Sequence, residues 1–161
     1  MRAVVDSEEP PMPVDRAAFE RLAGSEIRLD AEGRFLHEGE EVRHPGLRAA
    51  LWRWLAQDPD GRWVLRLDDR RAVGLEVEDA PHCVRSLRWD GEGAMLRLAD
   101  DSEELLDPAT VHLEARGTYC RVKGGRALAR LSSAAWATLS DRIVEEGGTA
   151  WLVAGGGRHP L

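Results

Sequence analysis

The sequence lacks the markers of several protein classes at once. Only two of its 161 residues are cysteines, Cys83 and Cys120, and they stand far apart with no CxxC spacing. The chain therefore offers neither a zinc knuckle nor a redox dithiol, and buried reduced thiols are expected. No stretch approaches the roughly 20 apolar residues that a membrane-spanning helix needs. The opening MRAVVDSEEPPMPVDRAAF has a three-residue apolar run before Asp6, which falls short of the apolar core of a secretory signal. Basic charge is also scarce, since 22 Lys and Arg stand against 29 Asp and Glu, for a formal net charge of -7. Proteins that grip a phosphate backbone or an anionic bilayer carry a basic face. Nucleic acid and membrane are therefore poor default partners, and a cytoplasmic location is expected.

What is present can fill a core. The apolar fraction is 43% with six Trp, and large rings bury large areas. The length matches one compact domain or two small subdomains. Residues 6–13 (DSEEPPMP) combine acids with three prolines and read as a solvated arm. Phe19 and Leu22 then support a short helix over about Val14–Ser25. We assign residues 1–25 to arm and short helix, 26–70 to an N-terminal α+β subdomain, and 71–161 to a C-terminal sheet with a second helical unit.

Short strands are expected at IRLD (27–30), RFLH (34–37) and EVR (41–43), separated by Glu-Gly turns. Pro45 suits a first helical turn, and Leu47, Ala50, Leu51, Trp54 and Leu55 follow at helical spacing. Asp58-Pro59-Asp60-Gly61 stops that helix. Residues 62–122 read as one meandering antiparallel sheet, with strands at 62–67 and 72–78, a hairpin at Asp90-Gly91, and a pair at 111–115 and 118–122. A second helix is expected from Ser132 or Ser133 with a stripe of Trp136, Leu139 and Ile143, ending at Gly147-Gly148. A strand at 149–154 and a Gly-rich tail close the chain. The fold class is α+β, mostly antiparallel with two helices.

Sliding the sequence by 84 positions lays Gly33 on Gly117, Phe35 on Tyr119, Leu47 on Leu131, Trp52 on Trp136 and Leu55 on Leu139; after a four-residue insertion Trp63 meets Trp151. A duplicated strand-helix-strand unit is the reading, and a seam between its copies is where a pocket is expected.

The stretches IRLDAEGRFLHEGEEV, GLEVEDAPH, TYCRVKGGRALARL and WLVAGGGRHPL, taken in order over about residues 25–161, resemble a bacterial family of domains of unknown function, DUF1285. The resemblance implies a two-part α+β fold with an internal duplication and a C-terminal part like pleckstrin-homology folds. It also implies a small-ligand site between the parts and a signalling role with a nucleotide-like ligand; it brings no established catalytic residues. The chain departs from the family pattern at the start of the second helix and at Arg158-His159.

No motif supplies catalysis. Glu76 and Glu78 lie on one face of a strand, as on a solvated sheet surface, and His82-Cys83 has no second ligand pair at zinc spacing. The acids at 100–104 lack the glycine and spacing of a calcium loop. No nucleophile-base pair is visible, and neither metal nor cofactor is called for. Arg121 and Lys123 beside Gly124-Gly125 offer cations and open N–H groups to an anion, against the plainer reading of a strand-to-helix turn. Trp63, Asp79, Arg121 and Lys123 are the expected lining of a site for a small anionic, nucleotide-like ligand. The function expected is a non-enzymatic binding or sensory module, and the alternative is a protein-interaction adaptor that presents a sheet edge.

Overall fold

The computed structural model describes the backbone from Pro13 and the side chains from Arg16 to the end. The expected arm lies outside the described residues, apart from Pro13, which opens a helix. The chain divides into two compact units, one made of residues up to 29 with 35–77, the other of residues 30–34 with 78–161.

The first unit opens with α1 (Pro13–Leu22), whose Phe19 and Leu22 are buried. Strands β1 (Ile27–Leu29), β2 (Phe35–His37) and β3 (Glu40–Glu41) form an antiparallel meander. Helix α2 (Pro45–Trp54) follows, capped by His44, whose ring Nδ1 accepts from Gly46 and Leu47 N–H. Next come β4 (Leu55–Gln57), β5 (Trp63–Arg66) and β6 (Ala72–Gly74), an antiparallel triplet. Finally β7 (Glu76–Val77) adds parallel to β1. The core gathers Leu29, Phe35, Leu51, Trp54 and Leu65, with edge-on ring contacts Phe19–Trp54 and Phe35–Trp52.

In the second unit β8 (His82–Asp90) and β9 (Gly93–Leu98) form the predicted hairpin around Asp90-Gly91. Strand β10 (Glu103–Leu105) follows, then a 3-10 turn (Pro108–Thr110), β11 (His112–Glu114), β12 (Gly117–Val122) and β13 (Ala127–Leu131). The sheet order is β10-β9-β8-β13-β12-β11. Helix α3 (Ser133–Ser140) leads to β14 (Ile143–Glu146), β15 (Thr149–Ala154) and β16 (Gly157–Pro160), a second antiparallel triplet. Leu96, Leu98, Cys120, Val122, Leu139 and Leu152 are fully buried at its core.

Several expectations are corrected. The described residues hold three α-helices where the fold class counted two, because the short helix expected from Phe19 and Leu22 buries both side chains and stands as α1. Residues 62–122 are not one antiparallel sheet: β5 and β6 join β4, β7 joins β1, and β8 to β12 belong to a six-stranded sheet in which β13 stands between β8 and β12, parallel to β8. The run 72–78 splits at Leu75, which is buried and donates its N–H to Trp63 O at 3.1 Å, so β6 and β7 join different sheets. The second helix stops at Ser140, where Asp141 and Arg142 N–H close on Thr138 and Leu139 carbonyls; Ile143 then pairs with Leu152 as strand. The acids at 103–104 stand on β10, and the Gly-rich tail forms β16.

The order of elements from β1 to β6, three strands, a helix and three strands, recurs from β11 to β16. The helices begin at Pro45 and Ser133, 88 positions apart (133 - 45), and Leu51 and Leu139 at that spacing are both fully buried. Leu131, laid on Leu47 of α2 by the 84-position slide, stands on β13, so a spacing of 88 rather than 84 brings the two helix starts into line.

Candidate functional site

Asp79 stands at the centre of the best-organised polar cluster in the second unit. Its side chain is 5% exposed, and such a carboxylate needs partners. Oδ2 accepts the phenol of Tyr119 at 2.6 Å and Arg130 Nη1 at 3.1 Å. Oδ1 lies 3.2 Å from Arg116 Nη1, an ion-pair distance, yet receives no hydrogen bond. Arg130 Nη2 also donates to Arg116 O at 2.7 Å. One carboxylate thus holds two guanidiniums, one on β13 and one in the β11–β12 turn.

The sequence brings these groups together through strand register. Tyr119 lies opposite Arg130 in the β12–β13 ladder, so phenol and guanidinium emerge side by side. Tyr119 is fully buried, and burial followed by its bond to Asp79 raises its phenol pKa. His112, opposite Tyr119 on β11, stacks on the phenol ring at 5.7 Å, and its Nε2 lies 3.0 Å from Glu114 Oε2.

The two arginines face space. Arg116 and Arg130 line a cavity of about 400 Å³ whose wall includes Glu114, Ser133 and Trp136. A second cavity of about 620 Å³ shares the wall Arg130-Leu131-Ser132-Ser133 and adds Glu32, Glu78 and Arg85. The shared wall is the start of α3. Ser132 Oγ caps that helix by accepting Ala135 N–H at 3.1 Å, and donates to Arg85 O at 2.8 Å. The N–H groups of Ser133 and Ala134 have no intrahelical acceptor, as at any helix start, and carry its positive end. The place can therefore receive an anion. The carboxylates of Glu32, Glu78 and Glu114 oppose it.

Of the four residues expected from sequence, Asp79, Arg121 and Lys123 lie in the second unit and engage separate partners. Asp79 organises the arginine pair. Lys123 is engaged elsewhere, with Nζ 2.7 Å from Asp100 Oδ2 and 3.0 Å from Ser102 Oγ, and its backbone N–H on Glu104. Arg121 is exposed on β12, its backbone N–H on Thr110 Oγ1. Trp63 belongs to β5 of the first unit and packs against that unit's core. Arg116, Arg130, Ser133 and Trp136 were not picked as site residues; Ser133 was visible as a helix start, whereas an arginine in a strand carries no local signal.

Other groups are structural. Burial pushes the Cys83 thiol up to about 11 and that of Cys120 up to about 12, so neither is a ready nucleophile. Burial and then Lys123 lower the pKa of His82. Among the described residues no group of three or more His, Cys, Asp or Glu is placed to hold a metal ion, and no helix is long and apolar enough to cross a membrane.

The fold is that of a two-unit α+β protein with mixed, mainly antiparallel sheets. It is shared with two solved DUF1285 family proteins. One, from Silicibacter pomeroyi DSS-3, superposes with a TM-score of 0.68 at 17% identity, over 99% of this chain and 86% of that one. The other, from Shewanella baltica OS155, gives 0.56 at 16% identity over 73% and 92%. No family model and no curated protein matches the sequence.

Proposed function

We propose that this chain is a DUF1285-type module that binds a small anionic, nucleotide-like ligand and passes its presence on as a signal. The observation that carries the reading is the Asp79-held pair Arg116 and Arg130, which lines a cavity together with the first turn of α3. The two guanidiniums face Asp79 and, at 4.0 Å from Arg116, Glu114, but each has more N–H donors than these carboxylates take up, and the helix start adds donors. Trp136 on the same wall supplies a flat apolar surface for a ring. The reading places the ligand inside the second unit, with Asp79 as organiser and Trp63, Arg121 and Lys123 outside that cavity's lining. Family membership is supported by the shared fold and by the motifs from IRLDAEGRF to GGGRHPL. Duplication is supported by the recurring element order, and a pleckstrin-homology-like second part by its hairpins with one helix.

The test is isothermal calorimetry and thermal shift with inorganic phosphate, UMP and AMP. A ligand at 100 times its dissociation constant raises stability by about 2.7 kcal/mol. Ser133→Asp is the decisive variant: an acid at the first helical position favours the helix dipole but repels an anion. The expected result is a protein at least as stable that no longer binds; unchanged binding removes the assignment.

A second reading, a protein-interaction adaptor, draws on exposed apolar side chains on the second unit's strands: Leu105 is 63% exposed on the edge strand β10, and Val144 and Val153 are exposed on β14 and β15. Edge strands invite pairing by a partner strand. Capture of one stoichiometric protein, with no response to small anions, would favour it.

A further inference from the structure

We infer that the outer edge of β11 takes up an extended anionic peptide as an added antiparallel strand, with a phosphoryl or carboxylate side chain at Arg116 and Arg130 and an apolar side chain, two residues further on, against Leu113. The inference rests on the anion site proposed above and adds a partner to it: the anion arrives on a peptide strand.

Strand β11 closes one end of the six-stranded sheet, with β12 on one side and no strand among the described residues on the other. It turns into β12 through Ala115 and Arg116, so Glu114 and Gly117 face each other next to the turn. The pair that closes such a two-residue turn is hydrogen-bonded, and hydrogen-bonded pairs alternate along an antiparallel ladder with pairs that are not. Leu113 and Thr118 are therefore a pair of the second kind. The N–H and C=O of Leu113 then point away from β12, where one residue of an incoming antiparallel strand can take up both.

The surroundings of this edge fix what the strand carries. Leu113 is 45% exposed, and a large apolar side chain on an unpaired edge offers a cross-strand contact to another. The cavity of about 400 Å³ that it lines also has Trp136, Arg116 and Arg130 in its wall, so an apolar group and a cation pair border one space. Side chains alternate along a strand, and an antiparallel strand runs against β11. The residue two places before the one opposite Leu113 therefore lies at the turn, on the face of Leu113, where the guanidiniums are. Glu114 borders the same cavity, but it leaves β11 on the opposite face, and its Oε2 lies 3.0 Å from His112 Nε2. The other end of the sheet does not match this chemistry, since β10 exposes Leu105 beside the acids Glu103 and Glu104.

The experiment titrates the full chain by calorimetry with acetyl-Thr-phosphoserine-Thr-Leu-Thr-amide, with its forms carrying Glu or Ser in place of phosphoserine, with the reversed sequence, with a form N-methylated at its Leu, and with inorganic phosphate. The phosphopeptide should bind about tenfold or more tighter than the Ser peptide and than phosphate, the scale of one charge-assisted contact. Arg116→Gln, at an exposed side chain, should erase the difference between phosphoserine and Ser. The N-methyl group removes the peptide donor to Leu113 O and should cost about threefold or more. Leu113→Pro, tolerated at an edge whose N–H faces outward, should bring the phosphopeptide down to the affinity of phosphate; Leu113→Thr, with the backbone donor kept, guards against misfolding and should give part of the same loss. A Glu peptide that binds like the phosphopeptide supports the strand with a plain acidic partner, and one that binds like the Ser peptide supports it with a phosphorylated one. If the phosphopeptide binds no tighter than phosphate, or the reversed or N-methylated peptide binds equally well, the added strand is overturned while the anion site stands. If neither peptides nor phosphate bind, both readings fall.

Discussion

The phenol of Tyr119 donates to the carboxylate of Asp79 at 2.6 Å across 40 positions of sequence. It is the link that ties the β12 strand to the start of the unit's long segment, 78–161. Tyr119→Phe keeps the ring and its stacking on His112 but takes one donor from a buried acceptor. A loss of about 1–3 kcal/mol is expected, read as a lower urea midpoint at unchanged slope. Asp79→Ala should cost more, because it strands the half-buried Arg130. If Tyr119→Phe is neutral, Asp79 does not depend on the phenol.

Gly33 combines a left-handed backbone with a close approach to Ala99. Gly33→Ala therefore meets both strain and a backbone shift, with an expected cost above about 1 kcal/mol. In a chain of this size each kcal/mol lowers Tm by about 2–4 °C. An unchanged Tm would show that the 30–34 loop is free to move.

The pKa of His82 is lowered by burial and by Lys123. The folded value lies below the unfolded one of about 6.5, so in the window just under pH 6.5 the unfolded chain binds more protons and stability rises with pH. The urea midpoint should fall as pH drops from 7.5 to 5.5, and His82→Gln should flatten that slope. Asp100 stays out of this window. Burial alone would raise its carboxyl, but the bonds from Lys123 and Ser102 outweigh it, and the net shift is downward. Its stabilising contribution is present above about pH 3.8 and fades only as pH falls through the still lower folded value. An equal slope in His82→Gln would move the effect to other groups.

Both thiols are buried, with pKa values pushed up to about 11 and 12. An aromatic disulfide reagent at pH 8 should leave the native protein unlabelled and titrate two thiols in denaturant. Fast labelling of the native state would show local opening near β8 or β12.

Ser132 caps α3 with a 3.1 Å bond. Ser132→Ala should cost about 1 kcal/mol and, by loosening the first turn, weaken anion affinity as well. A stability loss with affinity intact would separate the cap from the site.

The parts legible beforehand were those governed by local chemistry. Pro45 after His44 announced α2, Asp90-Gly91 the hairpin, and Ser132-Ser133 the start of α3. Ile143 was misread because a helical spacing from Trp136 and Leu139 continues through it, whereas its pairing with Leu152 on β15 lies outside any local window. Glu103 and Glu104 read only as part of an acidic run, because charge hides a strand whose partner, β9, supplies the ladder. Asp79 stood among the expected site residues, but the arginines that complete its cluster sit 37 and 51 positions away (116 - 79 and 130 - 79).

The sequence by itself determined the α+β class, the helix starts, the turns, the two thiols without a partner motif, and the recurrence of a Trp-bearing strand after each body helix. These follow from propensities and periodicities that act within a few residues. Only the tertiary structure decided that β13 lies parallel to β8, that Leu75 splits one apolar run between two sheets, and that Lys123 spends its charge on Asp100 while Arg116 and Arg130 turn to Asp79. Such choices depend on strand register and on which buried carboxylate lies within reach of which cation, and both are set by contacts between residues far apart in the chain.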